Sequence, residues 1–166
     1  MASPTPPVCD PGCQNVRAFL KLLRWAENYP NDGDFVYYRL YGGKSFTVTT
    51  THPNKAIVAW GRPDPSTAAG GYMFTYPTWK AAQVKGIVAD FTPASQDKLA
   101  WWRIGQRHAQ AAVCGGRATL EVAVRLLRLD WASLPGASQS QISVQAARNR
   151  YEGYLLEFAV GKTAGP

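Results

Sequence analysis

The sequence feature that most constrains the fold is an apolar helical pattern that begins at Val16 and ends at the glutamate Glu27. No acidic residue interrupts this stretch, and Pro30 and Gly33 then predict that the helix ends in a loop. Its apolar residues recur at the spacing of one helix face: Phe19, Leu20, Leu22, Leu23 and Ala26. We therefore expect a helix that is buried along one face and carries a carboxylate in its last turn.

Glu27 is the candidate residue for acid–base chemistry. A carboxylate in the last turn faces the negative end of the helix dipole, and the neighbouring indole of Trp25 is expected to exclude water from it. Both effects favour the protonated acid and raise its pKa from about 4.3 towards 6 or 7, where one group can donate and then accept a proton. The alternative is a solvated acid without a chemical role, as most surface glutamates are.

Length and composition indicate one folded domain. The chain has 166 residues, of which 46% are hydrophobic, and its 18 basic against 11 acidic residues give a net charge of +7. This charge favours anionic partners such as nucleic acid, a membrane surface or the bacterial cell wall. The basic residues are scattered and no nucleic-acid-binding motif is present, so nucleic acid is not the expected partner. No stretch has the length of a membrane span or the pattern of a secretory signal, and no stable membrane association is expected.

The three cysteines leave several pairings open. Cys9 and Cys13 bracket a turn that could bring them together, one of them could bond to Cys114, or all three could be free thiols. A metal site is not expected, because the two histidines, His52 and His108, lie far apart without ligand spacing.

The chain divides into a loose leader, residues 1–13, and a single domain, residues 14–166. Two runs rich in β-branched and aromatic residues surround Gly42-Gly43 and predict a β-hairpin over residues 35–50, and some of its rings, such as Tyr41, are expected to line a cleft. The pattern therefore predicts a mostly helical α+β fold with Glu27 at the floor of a cleft between hairpin and helices. Further helices are predicted from Pro77, from Pro93 towards Val113 with Thr92 as cap, from Thr119 to Leu129, and from Val144 to Val160.

Several short motifs then occur in a shared order. They are Trp25-Ala26-Glu27, Gly42-Gly43 with Phe46-Thr47, His52-Pro53, Ser66-Thr67 to Gly70 and Tyr72, Phe91-Thr92-Pro93 with Ser95-Gln96-Asp97, and Trp131 to Ala137. In this order and spacing the sequence resembles the phage lambda lysozyme family of endolysins over residues 14–158. The most specific single match is Trp-Ala-Ser-Leu-Pro-Gly-Ala.

The resemblance implies a function and a site. The family cuts the glycan strands of host peptidoglycan on a lysozyme-like fold with two lobes flanking a groove, and its lambda member is a lytic transglycosylase that forms 1,6-anhydro-muramyl ends. It implies that Glu27 is the single catalytic residue, that the hairpin forms one lip of the groove, and that no metal or cofactor is needed. The enzyme would be made in the host cytoplasm and act as a monomer on the periplasmic cell wall. Substrate contacts are expected from Ser66, Thr67, Gly70, Tyr72, Tyr41 and Gln139.

The chain also departs from the family pattern. Gly71 and Met73 replace polar residues that flank Tyr72, Gln139 stands where the family has a tyrosine, and Tyr38 replaces an aspartate before the Gly-Gly pair. The segment between Glu27 and the hairpin is shorter. These changes affect the expected sugar contacts more than the role of Glu27.

Three alternative functions remain open at this stage. A hydrolytic muramidase would use Asp32 or Asp34 as a second carboxylate, although both lie in a loop where solvated turn residues are common. A non-catalytic cell-wall-binding module would keep the groove without cleavage. A basic nucleic-acid-binding domain would show strongly salt-dependent retention on DNA.

Overall fold

Helix α1 (Gln14–Glu27) forms the centre of the domain, packing along α6 (Val144–Val160) and also contacting α3 (Pro93–Gln106) and α4 (Gln110–Cys114). The computed structural model describes residues 9–59 and 61–160, without the side chain of Val160. The predicted first helix is confirmed, and it ends at Glu27, with the Asn28 amide donating to the Arg24 carbonyl at 3.0 Å. The remaining α-helices of the described residues are α2 (Tyr76–Val84) and α5 (Leu120–Leu127), and short 3₁₀ helices lie at Asp34–Tyr38, Tyr41–Gly43 and Gly116–Thr119.

The cap of α3 is the one that the sequence predicts. Pro93 stands at the first helical position, and the Thr92 hydroxyl accepts a hydrogen bond from the Ser95 amide. Asp90 reinforces this start, because its carboxylate accepts hydrogen bonds from the hydroxyls of Thr92 at 2.8 Å and Ser95 at 2.5 Å.

The prediction of one continuous helix from Pro93 towards Val113 is wrong. The chain leaves the helix at His108, whose φ of 53° is left-handed. The amides of His108 and Ala109 donate to the carbonyls of Gly105 and Ile104, each at 3.0 Å, in the pattern of a Schellman cap. The cap ends α3 and lets α4 begin in a new direction.

The predicted β-hairpin over residues 35–50 is not present as two strands. The described residues hold only isolated antiparallel bridges here, between Arg39 and Ser45 around the Gly-Gly turn and between other pairs of this lobe. Val36 and Tyr37 are adjacent and both buried, which differs from the alternation expected of a hairpin strand with one solvent-facing side. The chain instead forms a 3₁₀ turn over Asp34–Tyr38, and residues 39–59 and 61–75 make an irregular lobe, named here the bridge lobe.

A buried amide joins this lobe to the helices. The side-chain amide of Gln96, on α3, donates to the carbonyls of Tyr37 and Phe91 at 3.0 Å each, and its oxygen accepts from the Gly71 amide at 2.9 Å. Gln96 is fully buried, so these bonds replace the water contacts that it loses on folding.

Of the open cysteine pairings, the structure contains the disulfide between Cys9 and Cys114. Cys13 is a free thiol whose Sγ lies 3.1 Å from Cys9 Sγ. The end of the predicted leader, residues 9–13, is therefore attached to the domain, and residues 1–8 lie outside the described part of the chain. No helix among the described residues is both long and apolar enough to cross a membrane.

Candidate active site

An open cleft of about 1170 Å³ runs between the bridge lobe and the helical part of the molecule. Its floor is the end of α1, one wall is the bridge lobe, and the other wall is the segment from Asp130 to Ile142. Its lining combines polar side chains with apolar ones such as Leu40 and Ile142. This composition suits a long polar ligand with partly apolar faces, such as a chain of sugars.

Glu27 lies at the floor of this cleft, half-buried at the end of α1. Burial raises the pKa of its carboxyl from an ordinary value near 4.5 to about 7, although hydrogen bonding to Ser133 acts in the opposite direction. The Ser133 hydroxyl donates to Glu27 Oε1. A carboxyl with this pKa is part protonated and part ionised near neutral pH, so it can both donate and accept a proton.

Ser133 is the site residue that sequence reasoning missed. It lies in a turn whose Leu134 and Ala137 amides donate to the carbonyls of Trp131 and Leu134 at 3.1 and 3.0 Å. Trp131 and Leu134 are buried, so the turn is anchored on both sides of the serine. The sequence signal that could have identified Ser133 is the motif Trp131 to Ala137, because this motif contains the serine.

Asn28 holds the end of α1 against the bridge lobe. Its buried amide donates to the carbonyl of Arg24 at 2.9 Å and to that of Gly71 at 2.8 Å. Because Asn28 follows Glu27 directly, these two bonds fix the backbone from which the candidate acid projects.

Tyr72 was predicted to contact sugar, and it is instead buried behind the cleft, with 1% of its surface exposed. Its hydroxyl donates to Asp97 at 2.5 Å and accepts from Arg24 at 2.8 Å, and the Tyr37 hydroxyl also donates to Asp97 at 2.7 Å. The cluster joins α1, α3 and the bridge lobe through one charged pair and two phenols. Its geometry is that of a structural network and not of a substrate contact.

The other predicted site residues divide into two groups. Tyr41, Ser66 and Gln139 line the cleft together with Glu27. Thr67 and Gly70 lie outside the lining: the Thr67 hydroxyl accepts from the Tyr76 amide at 3.0 Å, and Gly70 is buried at a φ of 77°. The predictions for Thr67, Gly70 and Tyr72 therefore have no support in the geometry of the cleft.

Trp25 was predicted to shield Glu27 from water, and it does not line the cleft. It packs edge-on against Tyr29, with ring centroids 5.4 Å apart, and under the Arg150 guanidinium at 5.3 Å. Burial is the largest cause of the raised pKa of Glu27, and the residue in hydrogen-bond contact with its carboxyl is Ser133.

The two carboxylates proposed as hydrolytic partners also lie outside the cleft lining. Asp32 accepts a hydrogen bond from the Tyr154 hydroxyl at 2.9 Å and lies 3.5 Å from the Arg150 guanidinium. Asp34 is exposed in the first turn of the 3₁₀ segment. Neither is in a position to face a bond held above Glu27.

The cleft itself contains two further acids. Asp130 pairs with Arg103 at 2.6 Å and with Arg107 at 2.5 Å. Burial alone would raise the pKa of Asp130, but the two guanidinium groups outweigh it and hold the pKa below its ordinary value. Asp64 lies on the exposed rim between Pro63 and Pro65.

The histidines and cysteines do not form a metal centre. Among the residues that the structure describes, no three His, Cys, Asp or Glu side chains are grouped as metal ligands. His52 is buried, with Nε2 lying 2.8 Å from the Phe74 carbonyl and Nδ1 accepting from the Asn54 amide at 3.0 Å. Its role in the described structure is therefore to hold the bridge lobe.

Comparisons with known proteins agree with this geometry. The protein-family model described as Endolysin matches residues 17–154. The chain is similar to the endolysin of Escherichia phage lambda, at 33% identity over 78% of this chain and 83% of that protein. It is also similar to the endolysin of Escherichia phage P2, at 37% identity over 77% and 84%. The solved structure of bacteriophage lambda lysozyme complexed with a chitohexasaccharide superposes with a TM-score of 0.75 and 28% identity, covering 86% of this chain and 94% of that one.

Proposed function

The chain belongs to the endolysin family, and we propose that it cleaves the glycan strands of bacterial peptidoglycan as a lytic transglycosylase in which Glu27 is the single catalytic residue. The bond cut would be the one between N-acetylmuramic acid and N-acetylglucosamine. The lambda lysozyme complex with a chitohexasaccharide supports a chain of sugars as the ligand of the cleft.

The observation that carries this proposal is the isolation of Glu27. Glycosidases with two carboxylates hold the second one about 5 to 9.5 Å from the first, free to act as nucleophile or base. Here Asp32 and Asp34 lie outside the cleft lining, and Asp130 is engaged by two arginines. Asp64 is the remaining acid of the described lining, and its place on a proline-flanked rim argues against a role at the reacting bond.

The reaction needs two proton transfers, and Glu27 takes part in both. Protonated Glu27 donates to the oxygen of the glycosidic bond as that bond breaks and positive charge develops at the anomeric carbon of the muramyl sugar. The resulting carboxylate then removes the proton of the muramyl C6 hydroxyl. That oxygen bonds to the anomeric carbon and closes the 1,6-anhydro ring, so no water is consumed and Glu27 ends protonated.

Ser133 is suited to stabilise Glu27 between the two proton transfers of this reaction. Its hydroxyl donates to Glu27 Oε1, and a hydrogen bond to an ionised acceptor is stronger than one to a neutral acceptor. The serine therefore favours the carboxylate that exists between the two proton transfers, while burial favours the acid that begins and ends the cycle.

Mass analysis of the products tests the proposal. Purified peptidoglycan treated with the enzyme should yield muropeptides with anhydro ends, which are lighter by one water than the products of hydrolysis. Products that have gained water would refute the transglycosylase reaction and favour a hydrolytic muramidase. In that case Asp64→Asn, rather than Asp32→Asn or Asp34→Asn, is the variant expected to lose activity.

A charge-matched pair of variants tests the role of Glu27. Glu27→Gln should lose at least a hundredfold of the clearing rate, since general acid catalysis contributes about 10² to 10⁴. Glu121→Gln, which removes an exposed glutamate paired with Arg148, should clear peptidoglycan at the parental rate. Equal clearing by parent and Glu27→Gln would refute the mechanism. Binding without clearing by the parent would favour the non-catalytic cell-wall module.

The site of action follows from the family. Endolysins act on the cell wall, and we propose that this one is made in the host cytoplasm and works as a monomer in the periplasm. Sedimentation of the purified protein tests the monomer, and a dimer at micromolar concentration would contradict it.

A further inference from the structure

We propose that Arg39 makes the cleft selective for muramyl residues that carry a stem peptide, by binding a carboxylate of that peptide. The inference rests on the proposed function and adds a substrate feature to it. Arg39 lines the cleft from the bridge lobe, and it was not among the residues that the sequence motifs indicated.

The backbone of Arg39 is held in place from several sides. Its amide donates to the Val36 carbonyl at 3.2 Å, its carbonyl accepts from the Gly70 amide at 2.8 Å, and it forms an antiparallel bridge with Ser45. Because Gly70 is itself packed against Gln96 on α3, the origin of the Arg39 side chain is fixed relative to the helical part of the domain. A side chain projected from such a backbone is suited to recognition.

The guanidinium group lies over the Gly-Gly turn. A Cβ atom added to Gly43 would lie 3.4 Å from Arg39 Nη2, at van der Waals contact, so the guanidinium packs close to the backbone of this turn. Gly43 also has a φ of 94°, which other residues rarely adopt. The turn therefore serves as a platform that supports Arg39 at the cleft wall.

The charge of Arg39 is not compensated within the described chain. No acidic oxygen of the described residues lies within 4.0 Å of its guanidinium. Two of the acids that line the cleft do not offset this charge. Asp130 is paired with Arg103 and Arg107, and Glu27 is mostly protonated at pH values below its pKa of about 7.

The rim of the cleft carries one charge of each sign. Arg62 and Asp64 lie two residues apart on the same exposed segment, so their opposite charges give this part of the cleft no net charge. The remaining positive charge is that of Arg39, which faces the space where the substrate would lie.

The chemistry of peptidoglycan supplies a matching anion. Where the lactyl carboxyl group of muramic acid is joined to a peptide, the N-acetylated sugars carry no charge, and the carboxylates of the polymer belong to those peptides. A guanidinium binds a carboxylate through two parallel hydrogen bonds, which an uncharged sugar hydroxyl cannot reproduce. Arg39 is therefore expected to favour strands whose peptides carry free carboxylates and to add little when those carboxylates are uncharged amides.

A comparison of two substrates tests this selectivity. The value of kcat/KM is measured on peptide-bearing glycan strands and on the same strands after their peptide carboxylates have been converted to uncharged amides, because removing the whole peptide would expose the lactyl carboxylate of muramic acid. The parent should prefer the strands with free carboxylates, and Arg39→Gln should reduce the ratio of the two values about tenfold, as expected for the loss of a charge-assisted contact. Arg125→Gln, which removes an exposed charge on α5, should keep the parental ratio.

Salt and a conservative variant sharpen the test. Raising the salt concentration should lower the parental ratio and leave that of Arg39→Gln nearly constant. Arg39→Lys keeps the charge and loses the paired geometry, so its ratio should fall between the two. It also serves as the test if Arg39→Gln does not fold.

The outcomes separate the inference from the function on which it rests. A parent enzyme that cuts neither substrate refutes the proposed function itself. A parent that cuts both substrates, with the same ratio for Arg39→Gln or Arg39→Lys as for the parent, refutes the role of Arg39 and leaves the cleavage reaction intact.

Discussion

Removal of the Ser133 hydroxyl should raise the pKa of Glu27 above its value of about 7. The hydroxyl donates to Glu27 Oε1 and so stabilises the ionised carboxylate relative to the acid. In Ser133→Ala that stabilisation is lost, whereas burial, which is the largest cause of the raised pKa, remains.

The size of the change follows from the hydrogen bond that is removed. A hydrogen bond to a charged group contributes about 1.5 to 3 kcal/mol, and about 1.4 kcal/mol corresponds to one pH unit. The backbone of Ser133 can still hydrogen-bond to the carboxylate in this variant, so the lower end of the range applies. We expect the pKa of Glu27 in Ser133→Ala to rise by about one unit.

The pH dependence of kcat/KM on purified peptidoglycan measures this pKa. The first step needs protonated Glu27, so the rate should fall as pH rises through its pKa in the free enzyme. The alkaline limb of the profile should therefore move to higher pH by about one unit in Ser133→Ala. Ser133→Thr keeps a hydroxyl and should restore the parental limb, and Ser138→Ala changes an exposed serine of the same segment and should not move it.

An unchanged limb in Ser133→Ala would refute this reasoning, as would a limb that moves to lower pH. Carbon-13 NMR of the labelled Glu27 carboxyl gives an independent titration. A serine with a merely structural role would lower the folded fraction or the rate at every pH, and it would leave both titrations where they are in the parent.

Three further predictions concern stability and thiol chemistry. Glu27→Gln should raise the free energy of unfolding at pH 8. A pKa raised from 4.5 to about 7 means that the parent loses about 3 kcal/mol of stability as pH increases between these values, and the variant has no such carboxyl to ionise. Urea titrations that show the same change in unfolding free energy between pH 4 and pH 8 for parent and variant would contradict this. Gly70→Ala should destabilise by several kcal/mol more than Gly86→Ala, since both glycines have positive φ and only the Cβ at Gly70 would lie 2.3 Å from Gln96 Oε1; equal thermal shifts would exclude the contact as the cause. Alkylation of the oxidised, unfolded protein should label one thiol per chain, at Cys13, and three labelled thiols would contradict the disulfide.

Local patterns in the sequence were sufficient to predict the helices and caps that are held by hydrogen bonds between nearby residues. The apolar periodicity after Val16 predicted α1 and its end at Glu27, and Thr92 with Pro93 predicted the start of α3. These features depend on hydrogen bonds between residues a few positions apart. The two strands of the predicted hairpin are absent, because Tyr37 is held by contacts distant in sequence: its hydroxyl donates to Asp97 and its carbonyl accepts from Gln96, both on α3.

Local sequence patterns were therefore enough to identify the carboxylate that ends the central helix and the family motifs that accompany it. What that carboxylate contacts depends on the folded chain, since Ser133 lies 106 residues away. The folded chain also decides that Tyr72 joins Arg24 and Asp97 behind the cleft instead of lining it. Desolvation and the pairing of buried polar groups depend on contacts between segments that are distant in sequence. A local sequence pattern does not indicate which of these segments come into contact.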